Sequence, residues 1–174
     1  MNKSSIEWTT WTSNPIYATS DVTPNGGARE PKRGWWCEKV SPGCANCYAS
    51  TQNQQALRGG TGFEFLPDNR VHHDLVLNEA ELKEWSAINR RTGQPKYTGR
   101  CFAFDMTDLF GEWVSDEWLD KVFAAMEVAR NLQFQILTKR PERMREYITR
   151  RTRENASAAA VWSAVEGANY FPTW

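Results

Sequence analysis

Three of the four cysteines in this 174-residue chain fall within eleven residues, Cys37-Glu-Lys-Val-Ser-Pro-Gly-Cys44-Ala-Asn-Cys47. Six residues separate the first pair and two the second. Thiolates this close can converge on one metal centre without ligands from distant parts of the chain. Three is an informative number: a structural zinc closes its shell with four ligands, whereas three leave a position open for another molecule. The intervening Ser41-Pro42-Gly43 predicts a tight turn that curls the backbone so the sulfurs can face one point. Two metal groups satisfy the spacing. One is a 4Fe-4S cluster with one iron unligated by protein. The other is a zinc ion completed by Cys101, His72 or His73. Taken alone, Cys101 reads as a small buried hydrophobe, and His72 and His73 as ordinary loop histidines.

The setting decides what clustered thiols mean. Charges balance at 21 basic and 21 acidic residues, so no global field draws the protein to nucleic acid or membrane. No apolar run approaches the roughly 20 residues that span a bilayer, and Met1–Trp8 lacks the layout of a secretory signal. A cytoplasmic location is expected, where clustered cysteines bind metals or act catalytically more often than they form disulfides. Of the nine tryptophans, Trp8, Trp11, Trp35 and Trp36 precede or abut the cluster. They read as packing around a metal loop or as stacking platforms for bases.

The elements that must position these residues are unevenly legible. The expectation is a single domain over 1–174. Residues 1–36 look irregular, with Asn14-Pro15, Thr23-Pro24-Asn25-Gly26-Gly27 and Arg29-Glu30-Pro31-Lys32 as loop signals; with the cysteine loop and a helix over 46–58 they make an irregular segment 1–60. Gly59-Gly60 stops that helix, and a second is expected over 78–89 with Asn78 as its cap. From residue 99 on, the pattern is that of βαβαβ units. Strands are expected over 100–106, 134–138 and 158–165. A Ser115-capped amphipathic helix runs to 130, and a helix opened by Pro141 runs to about 152. The fold class is therefore α/β, with parallel βα units and an irregular N-terminal metal-binding loop.

In such units, sites gather at the carboxyl ends of the strands. That rule nominates Asp105, Thr107 and Asp108, then Thr138, Lys139 and Arg140, then Glu166. Arg140 and its neighbours can meet a carboxylate or phosphate. Between Lys139 and Arg153 the chain carries seven basic residues against Glu142 and Glu146. Such a run can track a nucleic-acid backbone, or form the wet face of a helix.

Ser13-Asn14-Pro15, then Val40-Ser-Pro-Gly-Cys-Ala-Asn-Cys-Tyr-Ala49, Asp105-Met-Thr-Asp-Leu-Phe110 and Phe134-Gln-Ile-Leu-Thr-Lys-Arg-Pro-Glu-Arg-Met144 form an ordered set. This set closely resembles a phage- and prophage-associated three-Cys-motif family, a domain of unknown function. The resemblance implies a truncated, partial TIM-type barrel with a radical S-adenosylmethionine-like site. In such a site Cys37, Cys44 and Cys47 hold a 4Fe-4S cluster and the open iron binds S-adenosylmethionine; reduction yields a 5′-deoxyadenosyl radical. Asp105, Thr107, Asp108, Thr138 and Lys139 are then the cofactor-binding candidates, and a nucleic acid or nucleotide is the expected substrate. The six-and-two cysteine spacing is wider than in the common radical enzymes, and residues 15–36 read as an insertion. The second reading is a non-catalytic, zinc-stabilised module that binds a host or phage macromolecule. Neither reading involves a membrane.

Overall fold

A four-stranded sheet drawn from both halves of the chain organises residues 1–153, the part that the computed structural model describes. Its strands are β1 (Asn2–Lys3), β2 (Trp11–Ser13), β6 (Gly99–Ala103) and β7 (Leu132–Gln135), in the order β1-β2-β6-β7. β1 is antiparallel to β2, while β2, β6 and β7 are parallel, with Trp11 opposite Cys101 and Cys101 opposite Phe134. Parallel neighbours require a crossover connection. Between β6 and β7 it is the helix α3 (Asp116–Val128), whose Ser115 cap accepts a bond from the Trp118 amide at 3.2 Å. Leu119, Val122 and Ala125 bury the inner face of α3 against the sheet core, and α4 (Pro141–Arg153) follows β7. Burial of Leu119 and of Val122 contributes about 1.5–3 kcal/mol each.

The crossover from β2 to β6 is long and carries the candidate metal loop. It holds a second, antiparallel sheet of β3 (Ile16–Val22), β4 (Ala28–Gly34) and β5 (Asp74–Leu77), ordered β4-β3-β5. The short helices α1 (Tyr48–Asn53) and α2 (Glu79–Glu84) complete it. The expectation of an irregular segment over 1–36 is thus corrected: four strands lie there. The alternation along β3 is muted because Ala18 and Ser20 fill its buried positions, and β4 carries Pro31 and charged residues because it is an edge strand. Thr23–Gly27 is the hairpin turn between them, with the Thr23 amide bonded to the Gly27 carbonyl at 2.8 Å.

Other boundaries also shift. The helix expected over 46–58 ends at Asn53, and that over 78–89 ends at Glu84. The Asn53 carbonyl leaves the helix to accept from the Gly62 amide at 2.7 Å. Only glycine fits at position 60, where a Cβ would stand 2.1 Å from that carbonyl oxygen. β6 stops at Ala103 because Phe104, fully buried, takes a left-handed backbone with φ 64. Among the described residues the parallel strands form a mixed α/β arrangement with no closed barrel. The strand expected over 158–165 and Glu166 lie outside the described residues.

Asn53 joins the two parts of the long crossover. Its side-chain oxygen accepts from the amides of Trp35 (2.9 Å) and Thr61 (3.2 Å). Its amide nitrogen donates to Thr61 Oγ1 (2.8 Å) and the Phe63 carbonyl (2.9 Å). It thereby fixes where the chain leaves β4 and enters the cysteine loop. Asn53→Ala orphans these buried groups and is expected to cost about 3 kcal/mol, read from denaturant unfolding. A loss below about 1 kcal/mol would show that the loop is anchored by other means.

Candidate functional site

The residues nominated at the strand ends come together, and the cysteine loop lies across them. At the end of β2, Ser13 Oγ and the Asn14 amide donate to Glu81 Oε1 at 2.7 and 3.0 Å. Asn14 Oδ1 accepts from the Met106 amide at 3.0 Å, which leaves its Nδ2 to donate to Asp105 Oδ1 at 2.5 Å. Tyr48, the first residue of α1 after the third cysteine, donates its hydroxyl to the Asp105 carbonyl (2.8 Å) and Oδ2 (3.2 Å). Burial raises the Asp105 carboxyl above its ordinary range, against the pull of these two neutral donors. Each carboxylate oxygen has two lone pairs, so Asp105 retains acceptor capacity.

Asp108 has a different task. This buried carboxylate accepts from the Phe110 amide (2.9 Å), Thr138 Oγ1 (2.7 Å), the Lys139 amide (2.9 Å) and Arg140 Nη1 (3.2 Å). It therefore binds the turn after β6 to the turn after β7. Arg140 extends the link to Glu38 in the cysteine loop at 3.6 Å and lies over the Trp113 ring, 4.7 Å from its centroid. Thr107 donates to the carbonyl of Trp36, just before Cys37. Thr107, Asp108 and Thr138 thus hold the loop in place, while the Lys139 ammonium reaches it directly, 3.2 Å from where a Cβ would sit on Gly43.

The thiols occupy unlike surroundings. Desolvation, reinforced by the Asp108 charge, pushes the Cys37 thiol up to about 12. Burial tends to raise Cys44 as well. The Ser41 hydroxyl at 3.5 Å, the backbone of Val40 and Ser41, and the Lys139 charge more than offset that and lower it. Cys37 and Cys47 pack against one apolar cluster, Ala18, Trp36, Ala49, Phe65 and Met106. Cys44 ends the short turn Pro42–Cys44. Among the described residues, no group of three or more His, Cys, Asp or Glu side chains is gathered to hold a metal ion. The side-chain nitrogens of Trp36 and Trp113, both at this cluster, are buried donors without an acceptor.

The proposed completing ligands are engaged elsewhere. Cys101 is fully buried in the main core beside Ala103 and Phe104. His73 is no surface loop residue: it is buried, with Nδ1 bonded to the Asn69 carbonyl (2.8 Å) and Nε2 to Thr61 Oγ1 (2.9 Å). His72 is exposed and stacks on Phe63. The basic run is largely a seam between helices. Arg143 donates to the carbonyls of Phe110, Gly111 and Val114, Arg150 pairs with Asp116, and Arg151 pairs with Asp120 at 2.6 Å. No local signal pointed to Glu81 as the brace for Asn14, or to the Phe104 backbone. The Asn14-Pro15 step directly after a strand was the available signal for Asn14.

Residues 3–170 match the family model described as protein of unknown function (DUF5131), and the chain belongs to that family. No curated protein and no solved structure matches the chain.

The two shifted thiols of the loop, Cys37 and Cys44, set an order of reactivity, since the thiolate is the nucleophile. With metal-free protein at pH 8, iodoacetamide is expected to label Cys44 roughly thirtyfold or more faster than Cys37, after allowing for the weaker nucleophilicity of a low-pKa thiol. Ser41→Ala and Lys139→Ala should each slow Cys44, because both remove a stabiliser of its thiolate. Peptide mass spectrometry over time reads the order; equal rates at Cys37 and Cys44 would contradict these surroundings.

Proposed function

We propose that this chain is an iron–sulfur enzyme of the radical S-adenosylmethionine type, from a phage-associated three-Cys-motif family, acting on nucleic acid or a nucleotide in the host cytoplasm. Its fold, on this reading, is a partial TIM-type barrel in which β2, β6 and β7 with their helices are the repeating units. The observation that carries the proposal is the position of the cysteine loop. It is held over the carboxyl ends of the parallel strands by Thr107, Asp108 through Arg140, and Tyr48 on Asp105. Three thiols whose natural completing ligands are engaged elsewhere favour an open coordination position over a closed zinc shell.

Cys37, Cys44 and Cys47 would hold the cluster, which supplies one-electron chemistry when bound. The chain's own residues bind, orient and exclude water. Asp105, half-buried and with lone pairs to spare, is suited to accept from an amine or ribose hydroxyl. The Lys139 ammonium, at the edge of the loop, is suited to a carboxylate or phosphate. Trp36, Phe65 and Met106 form the dry wall behind Cys37 and Cys47, where electrostatic interactions are strengthened.

Anaerobic purification followed by counting of metal and sulfide tests this directly. About four irons and four sulfides per chain are expected, lost in Cys37→Ser, Cys44→Ser and Cys47→Ser and kept in Cys101→Ser. Reduction in the presence of S-adenosylmethionine should then release 5′-deoxyadenosine, and Asp105→Asn should weaken that release without removing iron. One zinc and no iron would overturn the enzyme reading.

A further inference from the structure

We propose that the face of the four-stranded sheet opposite its helices binds single-stranded nucleic acid, with one base stacked on Trp8 and Arg100 on an adjoining phosphate. The inference deepens the nucleic-acid part of the reading above and needs no metal. Parallel strands are ordinarily buried on both faces and read as unbroken apolar runs. Here β7 alternates instead, Leu132-Gln133-Phe134-Gln135. The register sorts the two faces. Cys101 and Phe134 lie on the side packed by α2, α3 and α4. Thr12, Phe102 and Gln135 form one row on the other side, and Arg100 and Gln133 the next.

Solvent alone does not explain this second face. Phe102 is buried, yet it belongs to neither apolar cluster of the fold. It is met by Trp8, with ring centroids 4.9 Å apart, and Trp8 keeps 40 % of its own surface exposed. An indole backed by one ring and open to solvent is a platform on which any base can stack. Arg100 and Gln133 beside it are exposed, and among the described residues neither side chain makes a hydrogen bond or ion pair. Gln135 is half-buried, and its side-chain oxygen has no donor. Amide side chains pair with base edges and a guanidinium with phosphate. A protein partner needs an apolar centre to its contact, which one aromatic pair ringed by amides does not supply. The chain's charges balance at 21 and 21, so stacking and not a long-range field must carry the affinity. Its salt dependence is then shallow, with a slope of about −0.7 in log K against log salt for one phosphate contact on a single strand.

The test is fluorescence anisotropy of labelled oligo(dT) and oligo(U) octamers with the anaerobically purified full chain. Saturable binding of at least one octamer is expected, weakened about tenfold or more in Trp8→Ala. Arg100→Gln should flatten the salt slope by about 0.7, while Arg91→Gln, on an exposed turn elsewhere, changes neither quantity. Because Trp8→Ala uncovers Phe102 and risks the fold, a second measurement uses the wild-type chain. An octamer carrying 5-iodouracil is crosslinked to it by light, and peptide mass spectrometry should place the crosslink at Trp8. No binding of either octamer, with the face left empty or taken by a second copy or another part of the chain, overturns the inference. Binding with the crosslink away from Trp8 and Phe102 overturns it as well. Binding by a chain that holds no iron supports the inference and sinks the enzyme reading alone; full iron without binding does the reverse.

Discussion

The carboxylate of Asp108 is the interaction on which the rest of the site depends. The β6 and β7 ends are adjacent because their ladder makes them so, but their loops would be free to diverge. Asp108 accepts from one main-chain amide of its own turn and from a main-chain amide, a hydroxyl and a guanidinium of the next. A buried carboxylate satisfied this fully is stable only with all its donors present. Removal of one partner from such a pair typically costs 3–5 kcal/mol, since the other is left charged and dry. Through Arg140 and Glu38 the same carboxylate reaches the cysteine loop, so strand ends and loop are a single electrostatic unit.

The antiparallel sheet supplies the second constraint. The loop has two roots, one at Trp35 and one at α1, and both are fixed by Asn53 and the Thr61–His73 pair behind it. Neutral His73 suits that place. Its Nδ1 faces a carbonyl and must carry the proton, which leaves Nε2 to accept from Thr61. Burial lowers its pKa, and the charges of Arg70, His72 and Arg29 lower it further. The wall behind Cys37 thus stays uncharged, in keeping with the desolvation that raises the Cys37 thiol.

Legibility in the sequence tracked the range of the interaction. Helix caps, the Pro141 start and the βαβ rhythm after residue 99 are local, and Ser115, Asn78 and Pro141 announce them. The nomination of Asp105, Thr107, Asp108, Thr138 and Lys139 followed from one topological rule, and these residues do share one end of the sheet. What the sequence hid was non-local. β2 joins β6 across the whole long crossover. β3 buries small side chains where a strong apolar alternation would have declared a strand. The division of labour among the acidic residues was equally hidden: nothing in Asp-Met-Thr-Asp says that the first carboxylate keeps spare acceptor sites and the second is saturated.

Local rules are broken at few places in this chain, and several of them lie at the same end of the sheet. Phe104 is a bulky residue with a positive φ, a strain of about 1–3 kcal/mol. The next residue is Asp105, a half-buried carboxyl raised by desolvation and held by neutral donors. Beside them are Cys37, with its thiol pushed up to about 12, and two indole donors with no acceptor. A sequence shaped only for stability would remove such conflicts, because each has a simple apolar or glycine remedy. They gather over the carboxyl ends of the parallel strands, where departures from local rules are expected at functional sites. Apart from the Phe104 backbone, these conflicts are of a kind that a bound group resolves: a proton displaced from Cys37, an acceptor for the indoles, a donor for Asp105.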